Sequence, residues 1–275
     1  MPTTWRYCPP PHPLVSAIPA FSDNYIWLIR AAQGDAACVV DPGDAMPVEA
    51  ALAQSGLRLS AIVLTHHHPD HVGGVARLRE AFAPVVYGPA GEDIAGVDHR
   101  LADGETIEVA GIGLRLRVID VPGHTRGHIA YHGARHGDDP RGLLLCGDTL
   151  FAGGCGRLFE GTAAQMLASL SRLAALPPDT LVYCAHEYTV SNLRFAAAVE
   201  PGSAEVADRL QEAQRMREAG SATVPSTIGI ELASNPFLRA DAPGVRAAAA
   251  ARLGRPAGSS VEVFAAIREW KNVFR

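Results

Sequence analysis

Residues 65–71 read Thr65-His66-His67-His68-Pro69-Asp70-His71, so that four good metal ligands fall within one short segment. Imidazole binds zinc, iron or copper, whereas a carboxylate suits harder ions and can bridge two of them. If the segment begins extended, His66 and His68 point to the same side, and Asp70 and His71 follow beyond a bend. This geometry favours two adjacent metal sites over a single closed structural site.

Three further ligands are expected where apolar runs end. His124 comes shortly after a predicted strand, whereas Asp148 and His186 each end an apolar run. Binding and catalytic residues gather where buried strands give way to loops. The side chains therefore predict a two-metal centre, with His66, His68 and His124 on one ion, Asp70, His71 and His186 on the other, and Asp148 as the bridge.

Three neighbouring side chains are not counted among these ligands. His67 lies between two of them and is expected to point away from the metals, into a hydrogen bond. His128 follows the His124 loop and either steadies it or is an ordinary buried histidine. Asp41 precedes Pro42-Gly43, which favours a turn-forming role over support of a metal ligand.

The pattern of short apolar runs and helical stretches predicts the fold class. Strands fall into two groups, each followed by helices, which is typical of an α/β (α+β) four-layer αββα sandwich. One helix is predicted from near Asp70 to Phe82, although Gly73 and Gly74 in its first turns cost helix stability. We expect a metal-binding catalytic domain at residues 14–186 and a C-terminal helical domain at residues 187–275.

Composition excludes several classes of protein. The net charge of −5 gives no reason to expect nucleic acid binding, and no apolar run approaches the roughly 20 residues that span a bilayer. The N-terminus lacks the apolar stretch of a secretory signal. The 5 cysteines form no Cys-x-x-Cys pair, as expected for reduced thiols. We therefore expect a cytoplasmic protein with no membrane partner, and nothing indicates an obligate dimer, so a monomer is expected.

The ligand order in Thr65-His66-x-His68-x-Asp70-His71, followed by His124, Asp148 and His186, resembles the metallo-β-lactamase superfamily. Residues 153–162, 184–189 and 235–239, together with the closing helix at 264–272, resemble the glyoxalase II family, the hydroxyacylglutathione hydrolases. The match extends over nearly the whole chain. It implies the four-layer αββα metallo-β-lactamase sandwich, with a C-terminal helical domain that binds substrate.

The resemblance also implies an activity. Members of this family hydrolyse S-D-lactoylglutathione, an S-(2-hydroxyacyl)glutathione, to D-lactate and glutathione through a metal-bridging hydroxide, the second step of methylglyoxal detoxification. Two divalent ions are expected, zinc first, with iron or manganese as alternatives. Asp70 and Asp148 are the expected catalytic carboxylates. Asp70 would orient the hydroxide and accept its proton, and Asp148 would bridge the ions.

The family resemblance implies a set of glutathione contacts, namely Arg157, Phe159, Tyr188, Arg268 and Lys271. Some relatives have lysine and tyrosine where this chain has Arg157 and Phe159. The arginine keeps the positive charge, but the phenylalanine loses a hydroxyl contact. Because glutathione carries two carboxylates, basic residues suit its groove. The alternative is that Arg268 and Lys271 are solvated charges on the surface of a C-terminal helix.

Other functions remain as alternatives. A glutathione persulfide dioxygenase with one iron shares much of this ligand set, but the basic C-terminal helix and residues 184–189 argue against it. A lactonase or β-lactamase uses the same fold, and the glutathione contacts count against that reading. A metal-binding module without catalysis belongs to a different class, and the complete ligand set counts against it.

Overall fold

The computed structural model describes residues 6–274, so Arg275, where the predicted C-terminal domain ends, lies outside the described residues. The strands are β1 (Val15–Ala20), β2 (Asn24–Arg30), β3 (Ala36–Val40), β4 (Arg58–Val63), β5 (Val85–Pro89), β6 (His99–Leu101), β7 (Thr106–Glu108), β8 (Arg115–Asp120), β9 (Ile129–Gly133), β10 (Leu143–Gly147), β11 (Leu150–Phe151), β12 (Gly154–Cys155), β13 (Leu181–Cys184) and β14 (Ser226–Thr227). The α-helices are α1 (Ala45–Ser55), α2 (Pro69–Val72), α3 (Val75–Phe82), α4 (Ala163–Ala174), α5 (Thr189–Val199), α6 (Ala204–Glu218), α7 (Ile228–Ser234), α8 (Pro243–Leu253) and α9 (Ser260–Val273), and a 3₁₀ helix spans Pro236–Leu238. None of the helices in the described range is both long and apolar enough to cross a membrane.

Two mixed sheets carry the first part of the chain. The strand order is β1-β2-β3-β4-β5-β6 in one and β14-β13-β10-β9-β8-β7 in the other, and β11 and β12 form a separate hairpin. Strands β3 to β6 run parallel, as do β10 and β13. The loops after β4, β10 and β13 therefore leave at the carboxyl ends of parallel strands, where ligand sites collect in open α/β sheets.

The sheets pack face to face, with helices outside. In β2, Trp27 and Ile29 enter the core between the sheets, whereas Ile26 and Leu28 face a second core on the other side. A strand covered on both faces reads as a continuous apolar run. The covering side chains are Val48 and Leu52 of α1 and Val75 and Leu78 of α3 on the first sheet, and Met166, Leu170 and Leu173 of α4 on the second. The predicted four-layer αββα sandwich is confirmed.

The single helix predicted from near Asp70 to Phe82 is wrong, because the chain forms α2 and α3 separated at Gly73-Gly74. The amide of Gly74 donates to the carbonyl oxygen of Pro42 at 2.9 Å instead of continuing the helical ladder. A Cβ atom at Gly74 would lie 2.6 Å from that same oxygen, so only glycine permits the approach. The interruption fastens the metal-binding segment to the loop after β3.

The C-terminal helices hold the hairpin formed by β11 and β12. Its carbonyl oxygens accept hydrogen bonds from three side chains: Asn192 of α5 donates to Ala152 at 3.2 Å, Asn235 to Phe151 at 3.2 Å and Gly154 at 2.9 Å, and Arg268 of α9 to Cys155 at 2.8 Å. The family-like Asn235-Pro236-Phe237 stretch is therefore structural in this fold. It secures the hairpin that leads into Arg157.

A buried ion pair stands behind this hairpin. Arg209 of α6 and Glu231 of α7 are 1% and 0% exposed, and their Nη2 and Oε1 atoms are 2.5 Å apart. The other Glu231 oxygen accepts hydrogen bonds from the Gly153 amide at 2.8 Å and from Asn235 Nδ2 at 2.9 Å. The pair thus joins two C-terminal helices to the hairpin.

Replacing Arg209 with leucine should destabilise the protein strongly, because the Glu231 carboxylate would remain buried without its partner. Breaking a buried pair in this way costs about 3–5 kcal/mol. We expect the free energy of unfolding to fall by about that amount in urea denaturation followed by circular dichroism. Arg215→Leu, at an exposed position of the same helix, is the control and should change it by less than about 0.5 kcal/mol. Equal effects of the two substitutions would contradict the role given to the pair.

Candidate metal centre

All the predicted metal ligands meet at one edge of the sandwich. They come from five places in the fold, namely His66 and His68 from the loop after β4, Asp70 and His71 from α2, His124 from the loop between β8 and β9, Asp148 from the end of β10, and His186 from the end of β13. Their nitrogen and oxygen atoms form two adjacent groups, joined by Asp148. The structure therefore groups them as the sequence predicts.

The first cluster consists of His66, His68 and His124. Nδ1 of His68 lies 3.2 Å from Nε2 of His66 and 3.0 Å from Nε2 of His124. One Asp148 oxygen, Oδ2, lies 3.4 Å from the same His124 nitrogen. Three converging imidazole nitrogens and one carboxylate oxygen match the donor types and number of a four-coordinate zinc or iron site.

The second cluster consists of Asp70, His71 and His186. Oδ2 of Asp70 is 3.4 Å from Nε2 of His71 and 3.6 Å from Nε2 of His186. The remaining oxygen of Asp148, Oδ1, lies 3.4 Å from the His71 nitrogen and 3.3 Å from the His186 nitrogen. Each Asp148 oxygen therefore faces a different cluster, as a bridging carboxylate requires.

Two buried atoms at this centre support metal binding. Nε2 of His71 and Oδ1 of Asp148 are buried, and neither has a hydrogen-bond partner among the described residues. An unpaired buried polar atom costs about 1–3 kcal/mol, so such atoms are rare without an ion or water to satisfy them. Because both point into the second cluster, the residues present fit a divalent metal ion there.

Asp41 supports the centre from behind and is not itself a ligand in this arrangement. It lies close to His66 and His71, but its oxygens accept hydrogen bonds from the Thr65 amide at 2.8 Å, the Thr65 hydroxyl at 2.7 Å and Nδ1 of His71 at 3.2 Å. A carboxylate on the far nitrogen of a ligating histidine fixes the ring and its tautomer. Asp41 also forms the expected turn, with φ at +50°.

Other ligands have similar partners, which sequence reasoning missed at Asp23 and Asn24. Asp23 Oδ1 lies 2.8 Å from Nδ1 of His186, and Asn24 Nδ2 donates to Asp70 Oδ2 at 3.1 Å. Both follow β1 in a stretch whose polar composition indicates only a turn. A backbone bridge between Asn24 and His186 brings them to the site, and such a long-range pairing leaves no local signal.

His128 lies beside the centre and takes the supporting role that was one of its two predicted alternatives. Its buried ring stacks on His66 with centroids 4.5 Å apart, and its Nε2 accepts a hydrogen bond from the Asp148 amide at 3.2 Å. Burial lowers the pKa of His128 well below the usual value for imidazole. A neutral ring can accept that hydrogen bond, so His128 helps to hold the backbone of the bridging residue.

The protonation states of the first cluster and of Asp148 also suit metal binding. Burial lowers the pKa values of His66, His68 and His124, so these rings are neutral at pH 7 and keep a lone pair for a metal. Burial alone would raise the pKa of Asp148, but the neighbouring His71 and His186 outweigh it and lower the pKa. The first cluster is therefore neutral and the bridge is an anion.

The five predicted substrate contacts line the same cavity as the metal ligands. This cavity measures about 670 Å³, and its wall includes the following side chains: His68, Asp70, His124, Asp148 and His186 at the metal centre, and Arg157, Phe159, Tyr188, Arg268 and Lys271 beyond it. The ring of Tyr188 stacks on His186 with centroids 4.8 Å apart. Phe159 packs edge-on against His68 and His124 at 5.6 and 5.3 Å.

The basic residues of the cavity differ in how free they are. Arg157 is exposed, whereas Arg268 is 5% exposed and uses its Nη1 on the Cys155 carbonyl. Nζ of Lys271 donates to the carbonyl and hydroxyl oxygens of Ser191 at 3.0 and 3.1 Å. Burial, with Arg268 and Arg157 nearby, lowers the pKa of Lys271 to about 8. Neither Arg268 nor Lys271 is a fully solvated surface charge.

Comparisons with known proteins agree with this architecture. Residues 20–186 match the family model described as metallo-beta-lactamase superfamily, and residues 187–274 match the model described as hydroxyacylglutathione hydrolase C-terminus. A hydroxyacylglutathione hydrolase from Pseudomonas aeruginosa (strain LESB58) is 55% identical over 261 residues, which cover 94% of this chain and 99% of the relative. The chain belongs to the hydroxyacylglutathione hydrolase family.

Solved structures share the fold of this hydroxyacylglutathione hydrolase family member. ETHE1 from Myxococcus xanthus is similar with a TM-score of 0.65 and 25% identity, covering 95% of this chain and 92% of that one. TTHA1623, solved in a di-iron-bound form, has a TM-score of 0.54 and 27% identity, covering 82% of this chain and 99% of that one. The second similarity shows a relative of this fold holding two metal ions.

The metal content of single-ligand variants should show that the two clusters bind metal separately. His124→Ala removes a ligand of the first cluster and His186→Ala one of the second. If the unaltered protein binds two ions per chain, we expect each variant to retain about one. The measurement is elemental analysis after metal loading and gel filtration. His99→Ala, at an exposed position away from the centre, should keep the full content. Full content in both ligand variants would contradict the assignment.

Proposed function

We propose that this protein hydrolyses S-(2-hydroxyacyl)glutathione, with S-D-lactoylglutathione as the principal substrate, to a 2-hydroxy acid and glutathione. This is the second step of methylglyoxal detoxification. The observation that carries the proposal is the single cavity that joins the metal ligands to Arg157 and Lys271. One end suits acyl transfer and the other suits an anionic peptide, and a thioester of glutathione needs both.

Two divalent metal ions per chain are proposed. His66, His68 and His124 would hold one, Asp70, His71 and His186 the other, with one oxygen of Asp148 on each. Histidine and carboxylate donors accept zinc, iron or manganese, and we propose zinc first. When bound, such ions lower the pKa of a coordinated water to about 7 and polarise the carbonyl under attack.

Asp70 is proposed to orient the attacking water and accept its proton. The neighbouring His71 outweighs burial and lowers the pKa of Asp70, so the group is a carboxylate at neutral pH. Asn24 Nδ2 fixes its Oδ2 atom at 3.1 Å, while the side chain stays half-exposed to the cavity. The departing glutathione thiolate is a weak enough base to leave without a dedicated general acid.

The walls of the cavity are proposed to bind the glutathione moiety. Exposed Arg157 and the Lys271 ammonium would pair with its two carboxylates. Tyr188 and Phe159 offer aromatic faces between the metal centre and these charges. Arg268 would act mainly through the hairpin, because its Nη1 is already bonded to Cys155.

The division of labour within the chain is also a proposal. Residues 14–186 supply the metal ligands, and residues 187–275 supply Tyr188 and Lys271 to the substrate and Arg268 to the hairpin beside it. We therefore propose a catalytic domain followed by a substrate-binding domain. A monomer suffices, because both sets of residues reach the cavity within one chain. We also propose a cytoplasmic location, which is consistent with the proposed role in methylglyoxal detoxification.

The first experiment is hydrolysis of S-D-lactoylglutathione by purified protein of known metal content, followed by loss of thioester absorbance and release of free thiol. We expect turnover with about two ions per chain, abolished by a chelator and restored by metal. Oxygen uptake with glutathione persulfide and one iron, without thioester turnover, would assign the dioxygenase alternative. Cleavage of lactones or β-lactams alone would assign the other hydrolases.

Lys271 should give substrate affinity a characteristic pH dependence. Its pKa is lowered to about 8 by burial, so the ammonium is present below pH 8 and is lost as the pH rises through that value. We expect KM to increase across this range, because the substrate carboxylate loses its charged partner. Lys271→Ala should raise KM about tenfold at pH 7 with kcat nearly unchanged, consistent with a charged hydrogen bond that is partly exposed to solvent.

Lys271→Arg is the matched control for this prediction. A guanidinium stays charged throughout the range, so the increase of KM with pH should disappear in this variant. Steady-state kinetics between pH 6.5 and about 9 make the measurement. An identical KM profile in the unaltered protein and in the Lys271→Arg variant would assign the pH dependence to another group.

A further inference from the structure

Glu92 is a buried carboxylate between two loops that carry metal ligands, although within residues 6–274 its side chain hydrogen-bonds to none of those ligands. It lies after β5 and is 6% exposed. Its Oε2 accepts a hydrogen bond from Nδ1 of His67 at 2.7 Å, and its Oε1 accepts one from the Thr125 hydroxyl. His67 stands between two ligands of the first cluster, and Thr125 follows the third. One carboxylate thus joins the two loops from which the first cluster is built.

A second connection runs in parallel through the same histidine. Nε2 of His67 lies 3.5 Å from Glu160 Oε1, and Glu160 Oε2 accepts a hydrogen bond from the Arg126 amide at 2.8 Å. Glu160 is exposed, so water competes for its contacts, whereas the contacts of Glu92 are shielded. Glu92 is therefore the stronger of the two connections.

The backbone around Glu92 shows that it is held firmly in place. Nη1 of Arg100 donates to its carbonyl oxygen at 2.8 Å. A Cβ atom at Gly127 would lie 2.5 Å from both the Gly91 oxygen and Glu92 Cγ, so the loop that follows Thr125 packs directly onto the Glu92 loop. A carboxylate seated in this way can fix the separation of the loops on its two sides.

That separation matters more for the first cluster than for the second. His66 and His68 come from one loop and His124 from another, so the nitrogens converge only if the loops keep their spacing. In the second cluster Asp70 and His71 are neighbours on α2, and the distant ligand His186 is held by Asp23 and by a backbone bridge to Asn24, away from the Glu92 loop. Loss of Glu92 should therefore act on one cluster and leave the other intact.

We propose that Glu92 is a positioning residue that fixes the spacing of the two loops and so sets the metal affinity of the first cluster. It would do this through His67 and Thr125, without contact to metal or substrate. The inference rests on metal binding at these ligands, which is part of the proposed function. If so, Glu92 helps to decide which of the two clusters binds its metal ion more tightly.

The test measures zinc affinity one cluster at a time. The His186→Ala background leaves the first cluster and the His124→Ala background leaves the second, and zinc affinity in each is measured by competition with a chromophoric chelator. In the first background, Glu92→Ala should weaken zinc binding about tenfold or more, as removal of outer partners of metal sites commonly does. In the second background it should change affinity less than twofold, within the error expected for an uncoupled site.

Two variants control for the substitution itself. Glu92→Gln keeps an oxygen for Thr125 and a polar group for His67, so it should restore most of the affinity lost in Glu92→Ala. Asp93→Ala removes the neighbouring carboxylate, which is fully exposed and lies 3.8 Å from Arg100, and should have no effect. Thr125→Val removes one of the two Glu92 contacts without emptying the site. Thr125→Val should also weaken zinc binding at the first cluster, and it replaces Glu92→Ala as the test variant if that protein does not fold.

The outcomes separate this inference from the proposed function. Equal weakening in both backgrounds, or no weakening in either, would overturn the positioning role. Selective weakening with no hydrolysis of S-D-lactoylglutathione by the unaltered protein would leave the positioning role in place and reject the proposed reaction. Cobalt(II) adds a spectroscopic readout. Adding Glu92→Ala should alter the visible absorption of the cobalt-loaded His186→Ala protein but not that of the cobalt-loaded His124→Ala protein.

Discussion

The whole centre depends on where one buried carboxylate is held. Asp148 turns one oxygen toward His124 and the other toward His186, at 3.4 and 3.3 Å. A buried carboxylate oxygen without a hydrogen-bond partner destabilises a fold, so the structure carries a cost that bound cations would relieve. The His128 ring and the end of β10 fix the Asp148 backbone, which makes the spacing of the two clusters a property of the sheet rather than of a loop.

The two clusters are supported in different ways. The second draws on carboxylates and an amide that contact its ligands directly, namely Asp41, Asp23 and Asn24. The ligands of the first come from two loops. Glu92 holds these loops together by hydrogen bonds to His67 and Thr125, which adjoin the ligands in sequence.

Sequence patterns predicted the sandwich and picked out seven candidate ligands that lie together in the structure, because short-range signals encode both. The apolar runs that end at Asp148 and His186 form β10 and β13, and the histidine segment stood out by its density of metal ligands. What sequence could not predict was decided by long-range contacts. The Gly74 amide bonds to Pro42 and breaks a helix that periodicity made continuous, and Asp23 reaches His186 only through pairing of distant backbone segments.

The closing helix α9 carries one basic residue that holds the hairpin and another that faces the substrate cavity. Arg268 and Lys271 lie three residues apart on one face, as charges do when they share a ligand. Yet Arg268 donates to the Cys155 carbonyl, while Lys271, in the wall of the cavity, donates to Ser191 and lies over the Phe195 ring. The same helix therefore positions the hairpin leading to Arg157 and presents the lysine.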